Sequence, residues 1–180
     1  LVLVAIHTVH SVIRVGAVKW EKKAEFEKWN VFSRITVDKK LSIKIDAGAA
    51  TTINSLADLK PGLEKDKITA LALATWDTPP DKVLIIGPGG GRDVLFALAA
   101  GAKSITGVEI NPLIANDVMR DQYATANGHL YEDPHVQIVV DEGRSFVRRS
   151  DEHYDMIQAS LVDTWPADGA GAFALTGNTM

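Results

Sequence analysis

The chain has 180 residues, 46% of them apolar and 23% charged, proportions that fit a folded globular chain and exclude a disordered or fibrous one. With 19 Lys and Arg against 23 Asp and Glu, its net charge is −4, so the basic footprint that grips a phosphate backbone is missing and nucleic acid is not an expected partner. It contains no cysteine, which excludes disulfides, thiolate metal sites and a cysteine nucleophile together.

The sequence opens on Leu1 rather than Met and runs to Met180 without a recognisable tail. It reads as an excerpt of a longer protein. Residues 1–18 are mostly apolar but are interrupted by His7, His10 and Arg14. A charged Arg is costly inside a bilayer, so an amphipathic helix or a buried strand is expected there ahead of a membrane span. Residues 29–37 and 41–45 alternate apolar and polar side chains, with Asp38-Lys39-Lys40 between them as a turn. This period of two predicts a small antiparallel β element. Residues 46–52 are small and read as a flexible segment, and residues 58–67, with Pro61-Gly62, read as a loop or short helix.

Thr78-Pro79-Pro80-Asp81 marks a boundary, because two successive prolines interrupt regular structure. An N-terminal segment of residues 1–78 is therefore expected, followed by a second domain over 79–180. In that domain, strands are predicted at 83–86, 105–110, 136–140 and 156–161, and helices at 93–100, 112–126 and 145–149. Strands alternating with helices imply an α/β fold with a parallel sheet in right-handed βαβ units.

The main chemical signal is Gly87-Pro88-Gly89-Gly90-Gly91-Arg92-Asp93, which joins the first of these strands to its helix. Glycines let a backbone turn tightly and approach a ligand, and a helix start presents free N–H groups. The pattern is a nucleotide or cofactor loop. It differs from the dinucleotide fingerprint at its last glycine, where Arg92 stands, and from the P-loop because no Lys-Ser or Lys-Thr follows. Glu109 ends the second strand at the spacing of about 20 residues where a carboxylate accepts ribose hydroxyls. Asp93, near the helix start, is read as a favourable charge on the helix dipole. The five histidines, His7, His10, His129, His135 and His153, show no ligand spacing, and no metal site is expected. Ser33 and Ser145 lack the His and Asp framework of a nucleophile, and Arg144, Arg148 and Arg149 read as a solvated patch.

These residues resemble the class I S-adenosylmethionine-dependent transferases, and within them the spermidine synthase-like (polyamine synthase) family. The likeness rests on residues 82–93, on Gly107-Val108-Glu109-Ile110-Asn111-Pro112, on Asp141-Glu142-Gly143-Arg144-Ser145-Phe146 and on Tyr154-Asp155-Met156-Ile157. It implies a Rossmann-like class I methyltransferase sheet in strand order 3-2-1-4, stopped after the fourth strand and preceded by a small N-terminal β element. It also implies S-adenosylmethionine or decarboxylated S-adenosylmethionine as cofactor. Gly87, Pro88, Gly89, Gly90 and Gly91 would wrap its methionine portion, Glu109 would take the ribose and Ile110 would form an apolar wall. The acid that receives the adenine amino group falls on Glu142-Gly143, with Asp141 beside it, and Gly143 would let the backbone pass close to the purine.

The family's loop aspartate is replaced by Gly90, and its catalytic Asp-x-x-Asp reads Ser160-Leu161-Val162-Asp163. The catalytic residues implied are therefore Asp163 and Ser160, with Trp165 nearby for stacking. Without the loop acid, ordinary S-adenosylmethionine is as suitable a donor as its decarboxylated form. The expected function is aminopropyl or methyl transfer to a small amine or other acceptor. The alternative is a non-catalytic S-adenosylmethionine-binding or assembly module. The block Trp29-Asn30-Val31-Phe32-Ser33-Arg34 and residues 171–176 resemble a bacterial branch whose longer members carry membrane helices upstream. That likeness implies a cytoplasmic or cytoplasmic-face location, membrane attachment through an upstream region, a polyamine-like acceptor and pairing into homodimers.

Overall fold

Alternation on either side of Lys39 builds a four-stranded antiparallel meander. The computed structural model describes residues 24–59 and 80–160, and it divides into two compact units between Thr51 and Thr52. β1 (Phe26–Trp29), β2 (Arg34–Val37), β3 (Ser42–Ile45) and β4 (Ala49–Thr52), whose last residue falls at the boundary, lie in the order β1-β2-β3-β4. Ile35 and Val37 pair with Ile45 and Ile43, and Ile35, Val37 and Ile43 are fully buried. The expected turn at residues 38–40 is closed by Asp38, whose Oδ1 accepts from the amides of Lys40 at 2.9 Å and Ser42 at 3.1 Å.

Two parts of this meander depart from the sequence reading. β1 begins at Phe26, ahead of the alternating stretch predicted over 29–37, and a turn at Asn30 separates it from β2. Asn30 Oδ1 accepts from the amides of Phe32 at 2.9 Å and Ser33 at 3.0 Å, the side-chain mimic of a backbone turn that Asn performs well. The segment read as flexible instead contains β4. Asp46 and Ala47 both have positive φ, 51° and 55°, and Gly48 N donates to Ile45 O at 3.0 Å. That is the two-residue hairpin turn whose twist matches the flanking strands.

The second unit holds a parallel sheet of β5 (Lys82–Ile86), β6 (Ser104–Glu109), β7 (Val136–Val140) and β8 (Met156–Ala159), in the order β7-β6-β5-β8. This is the expected 3-2-1-4 order. Val83, Leu84 and Ile85 of β5 are buried, as fits a central parallel strand covered on both faces. Helix α1 (Arg92–Ala99) buries Val94, Leu95, Phe96 and Ala97. Asp155 ties the start of β8 to β5 by accepting from the amides of Asp81 at 3.0 Å and Lys82 at 2.8 Å.

The helix expected over 112–126 is Leu113–Gln122, with π-type hydrogen bonding. It stops early because fully buried Asn127 takes over its end: Nδ2 donates to Met119 O at 2.6 Å and Oδ1 accepts from Leu130 N at 3.0 Å. Helix α2 (Gly143–Arg149) begins two residues before its predicted start, and β8 ends at Ala159. Thr78-Pro79, Leu161 and residues 1–18 lie outside the described residues. No helix among the described residues is long and apolar enough to cross a membrane.

Candidate functional site

A parallel sheet gathers its loops at the carboxyl ends of the strands, and a ligand crevice opens where the winding direction reverses. Here the loop after β5 is the glycine run. Gly87, Gly89 and Gly91 adopt positive φ, and Gly87 N donates to Val108 O at 2.9 Å, fixing the loop to the end of β6. Gly91, at φ 84°, caps α1, and an added Cβ there would lie 2.4 Å from Leu130 Cδ2. No side chain fits without displacing Leu130.

The loop is held by three side chains from elsewhere in the unit. Tyr131 Oη donates to Gly89 O at 2.6 Å. Asn54 donates to Gly90 O twice, from its amide at 2.8 Å and from Nδ2 at 3.2 Å. Glu109 Oε2 accepts from Gly89 N at 3.1 Å, and its Oε1 accepts from Asn111 N at 2.9 Å. Gly89 is thus pinned at both its carbonyl and its amide.

Glu109 is 4% exposed. Burial pushes its pKa up, partly offset by hydrogen bonds from the amides of Asn111, Gly89 and Ile110. An ionised carboxylate offers about four lone-pair sites, so capacity remains for a ligand hydroxyl. Tyr131 is buried with its pKa well above the usual phenol value, through burial and then the negative charge of Glu109. It is therefore a neutral donor at physiological pH. Ile110, the residue after β6, stands exposed as an apolar surface.

Beyond β7 the acids are differently employed. Glu142 caps α2, accepting from the amides of Arg144 and Ser145, each at 2.8 Å. Its pKa is lowered by the Ser145 side chain and then by these amides. Asp141 accepts from Glu142 N at 2.8 Å and pairs with Arg149, while its own amide donates to Glu109 O at 3.1 Å. Gly143 has a packing reason in this structure, because an added Cβ would lie 2.7 Å from Ile86 Cγ2. Ser160 follows β8, where its hydroxyl meets the Gln158 side chain and the Asp93 carboxylate. Asp163 and Trp165 lie outside the described residues.

The strand ends therefore gather Gly87 to Gly91, Glu109, Ile110, Asp141, Glu142, Gly143 and Ser160 at one edge of the sheet. Sequence reasoning did not find Tyr131 or Asn54, which are distant in sequence from the loop they hold and match no motif. It assigned Asp93 to the helix dipole, whereas the structure buries it against Ser160.

The family profile for the spermine/spermidine synthase domain matches residues 63–174. The chain belongs to this family. Among its relatives, a polyamine aminopropyltransferase of Korarchaeum cryptofilum is 30% identical over 86 residues, covering 48% of this chain and 26% of that protein. One from Serratia proteamaculans is 36% identical over 85 residues, covering 46% and 29%. Among solved structures, a spermidine synthase in complex with the transition state analogue AdoDATO has a TM-score of 0.59 at 20% identity, covering 87% of this chain and 52% of that one. The Thermotoga maritima spermidine synthase also gives 0.59 at 20% identity, covering 79% and 48%. At that identity the likeness speaks for the fold. The chain spans less than a third of the length of these two curated relatives and about half of each solved chain.

Proposed function

We propose that this spermine/spermidine synthase family chain binds a sulfonium nucleoside, S-adenosylmethionine or its decarboxylated form, and serves group transfer from it to a small amine. The transferred group is aminopropyl, the group named by its polyamine aminopropyltransferase relatives. The observation that carries this reading is Glu109, a buried carboxylate with spare acceptor capacity, hydrogen-bonded to the glycine loop it borders.

In this reading Glu109 accepts the ribose hydroxyls, and its contact with Gly89 couples ribose binding to the loop. Tyr131 and Asn54 keep the loop carbonyls engaged, so the loop is set before a ligand arrives, which lowers the ordering cost of binding. Ile110 offers an apolar face for the purine, while Asp141 and Glu142 stand at the neighbouring strand end to receive its amino group. A sulfonium nucleoside bound there would supply a carbon activated by positive sulfur, at which a C–N bond would form as the C–S bond breaks, the sulfur keeping the bonding pair as a neutral thioether and the amine's proton passing to the Asp163 carboxylate. The chain's contribution is alignment and electrostatics. Ser160 is no general base by itself, because its pKa lies far from neutral, and Asp163 is the acid of the pair.

Calorimetry on the chain with methylthioadenosine, both sulfonium nucleosides and NAD tests this reading. Saturable binding of the adenosyl thio compounds without NAD is expected, and binding of NAD alone overturns it. A second reading, a non-catalytic nucleoside-binding module, is favoured by the neutral residues Gly90 and Ser160. It predicts binding with no methylthioadenosine or S-adenosylhomocysteine released when amines are added.

A further inference from the structure

Tyr131 is a buried phenol, 2% exposed, on the short 3₁₀ helix Leu130–Glu132. A phenylalanine would fill the same core with no polar group to satisfy, so the hydroxyl is accounted for by what it bonds. Its Oη donates to Gly89 O at 2.6 Å. The amide of the same residue donates to Glu109 Oε2 at 3.1 Å. Tyr131 and Glu109 therefore hold one glycine from its two sides. That glycine has φ 50° and lies in the run Gly87-Pro88-Gly89-Gly90-Gly91, whose backbone has wide conformational freedom. Only part of that freedom aims the Gly89 amide at Glu109, and the Tyr131 bond selects it.

The donor is itself fixed in place. Leu130 fills the space where a Gly91 Cβ would stand, and its amide donates to Asn127 Oδ1 at 3.0 Å. Fully buried Asn127 donates in turn to Met119 O at 2.6 Å, and its carbonyl accepts from Leu56 N at 3.0 Å. Residues 127–131 thus form a braced support for the Tyr131 ring. Asn54 restrains the next carbonyl of the loop, Gly90 O, but among the described residues Gly90 makes no hydrogen bond to Glu109. The bond from Tyr131 falls on the residue that does.

Glu109 depends on that residue. Its Oε1 accepts from Asn111 N at 2.9 Å, a donor two positions along the chain that comes with the strand end. The Gly89 amide lies 20 residues away and has to be brought to it. A buried carboxylate is costly to ionise unless donors surround it, and the Gly89 amide favours the ionised form. The charged and titratable groups near this pair are Asp93 of α1 and Arg120 of the Leu113–Gln122 helix, which act on the Tyr131 hydroxyl through space. Asp141, ion-paired with Arg149, follows the neighbouring β7. Among the described residues none of them forms a hydrogen bond or ion pair with the Glu109 carboxylate, so backbone amides support its charge.

We propose that Tyr131 is a positioning residue for the nucleoside site: by holding Gly89 O it keeps the Gly89 amide on Glu109 and leaves the remaining lone pairs of that carboxylate to the ligand. This rests on the reading of Glu109 as the ribose acceptor and adds the residue that sets it. The role differs from a general stiffening of the loop, because it is exerted through Glu109 and vanishes where residue 109 carries no charge.

A double-mutant cycle read by calorimetry with methylthioadenosine separates the two roles. Tyr131→Phe is expected to weaken binding to the otherwise unaltered chain by about fivefold or more, the scale of one hydrogen bond. In the Glu109→Gln background the same change is expected to weaken binding by less than about twofold. Binding to the unaltered chain should fall at acid pH as Glu109 takes up a proton, and Tyr131→Phe should move that fall to higher pH, because the carboxylate loses a donor to its ionised form. Equal weakening in both backgrounds, no weakening in either, or an unmoved pH profile overturns the proposal and leaves Tyr131 a core residue. If Tyr131→Phe does not fold, Tyr131→4-aminophenylalanine, which keeps a weaker N–H donor on the same ring, takes its place in the cycle. A loss present with Glu109 and absent with Glu109→Gln is then expected, and any other pattern overturns the proposal. Absence of methylthioadenosine binding to the unaltered chain overturns the nucleoside reading itself, a different result from binding that is indifferent to Tyr131.

Discussion

Asp93 and Tyr131 show how individual side chains shape this site. The Asp93 pKa is raised in the folded chain by burial, against the relief given by Ser160 and Arg92. A carboxyl whose folded pKa exceeds its unfolded value binds more protons when folded, so stability falls as pH rises from the ordinary aspartate value, near 4, through the raised one. Above that window the full cost of the buried charge is present. Asp93→Asn is therefore expected to raise the melting temperature relative to the unaltered chain at pH 8 and to lose that advantage at pH 4, as thermal denaturation across pH would show. An advantage that is equal at both pH values would argue against a buried charge. Tyr131→Phe removes the only donor seen on Gly89 O among the described residues. Leaving that carbonyl unpaired is expected to cost about 1–3 kcal/mol, measurable as a lower denaturation midpoint, with weaker methylthioadenosine binding as the loop loosens. The sequence shows neither role, because burial and a contact to a distant loop depend on tertiary packing. Glu109 was legible because its strand-end spacing is set by the βαβ unit itself.

At the level of elements, the parallel strands were readable from continuous apolar runs bounded by turn signals, and their order followed from the family likeness. What escaped reading was local. The strand β4 hides in a small-residue segment because its hairpin turn uses Asp46-Ala47 rather than a familiar Asn-Gly pair. An alanine at φ 55° carries a Cβ penalty that glycine avoids. Ala47→Gly is expected to stabilise the chain by about 0.5–1 kcal/mol, a gain that urea denaturation would detect; destabilisation would contradict the turn assignment. The Leu113–Gln122 helix was read too long because the buried side chain of Asn127, which ends it, gives the same sequence signal as a solvated asparagine.

Across the whole molecule, two compact units share the chain, and the candidate site is built from the second. The glycine loop lies at the carboxyl end of β5, with Glu109 at the end of the neighbouring β6 and Ser160 after the neighbouring β8. The proposed nucleoside site at Glu109 and the loop it holds is tested most directly by a calorimetric titration of methylthioadenosine into the chain and into Glu109→Gln. Saturable binding to the chain and binding at least about tenfold weaker to the variant are expected, the scale of a lost charge-assisted hydrogen bond. No binding to the chain, or equal binding to both, would contradict it.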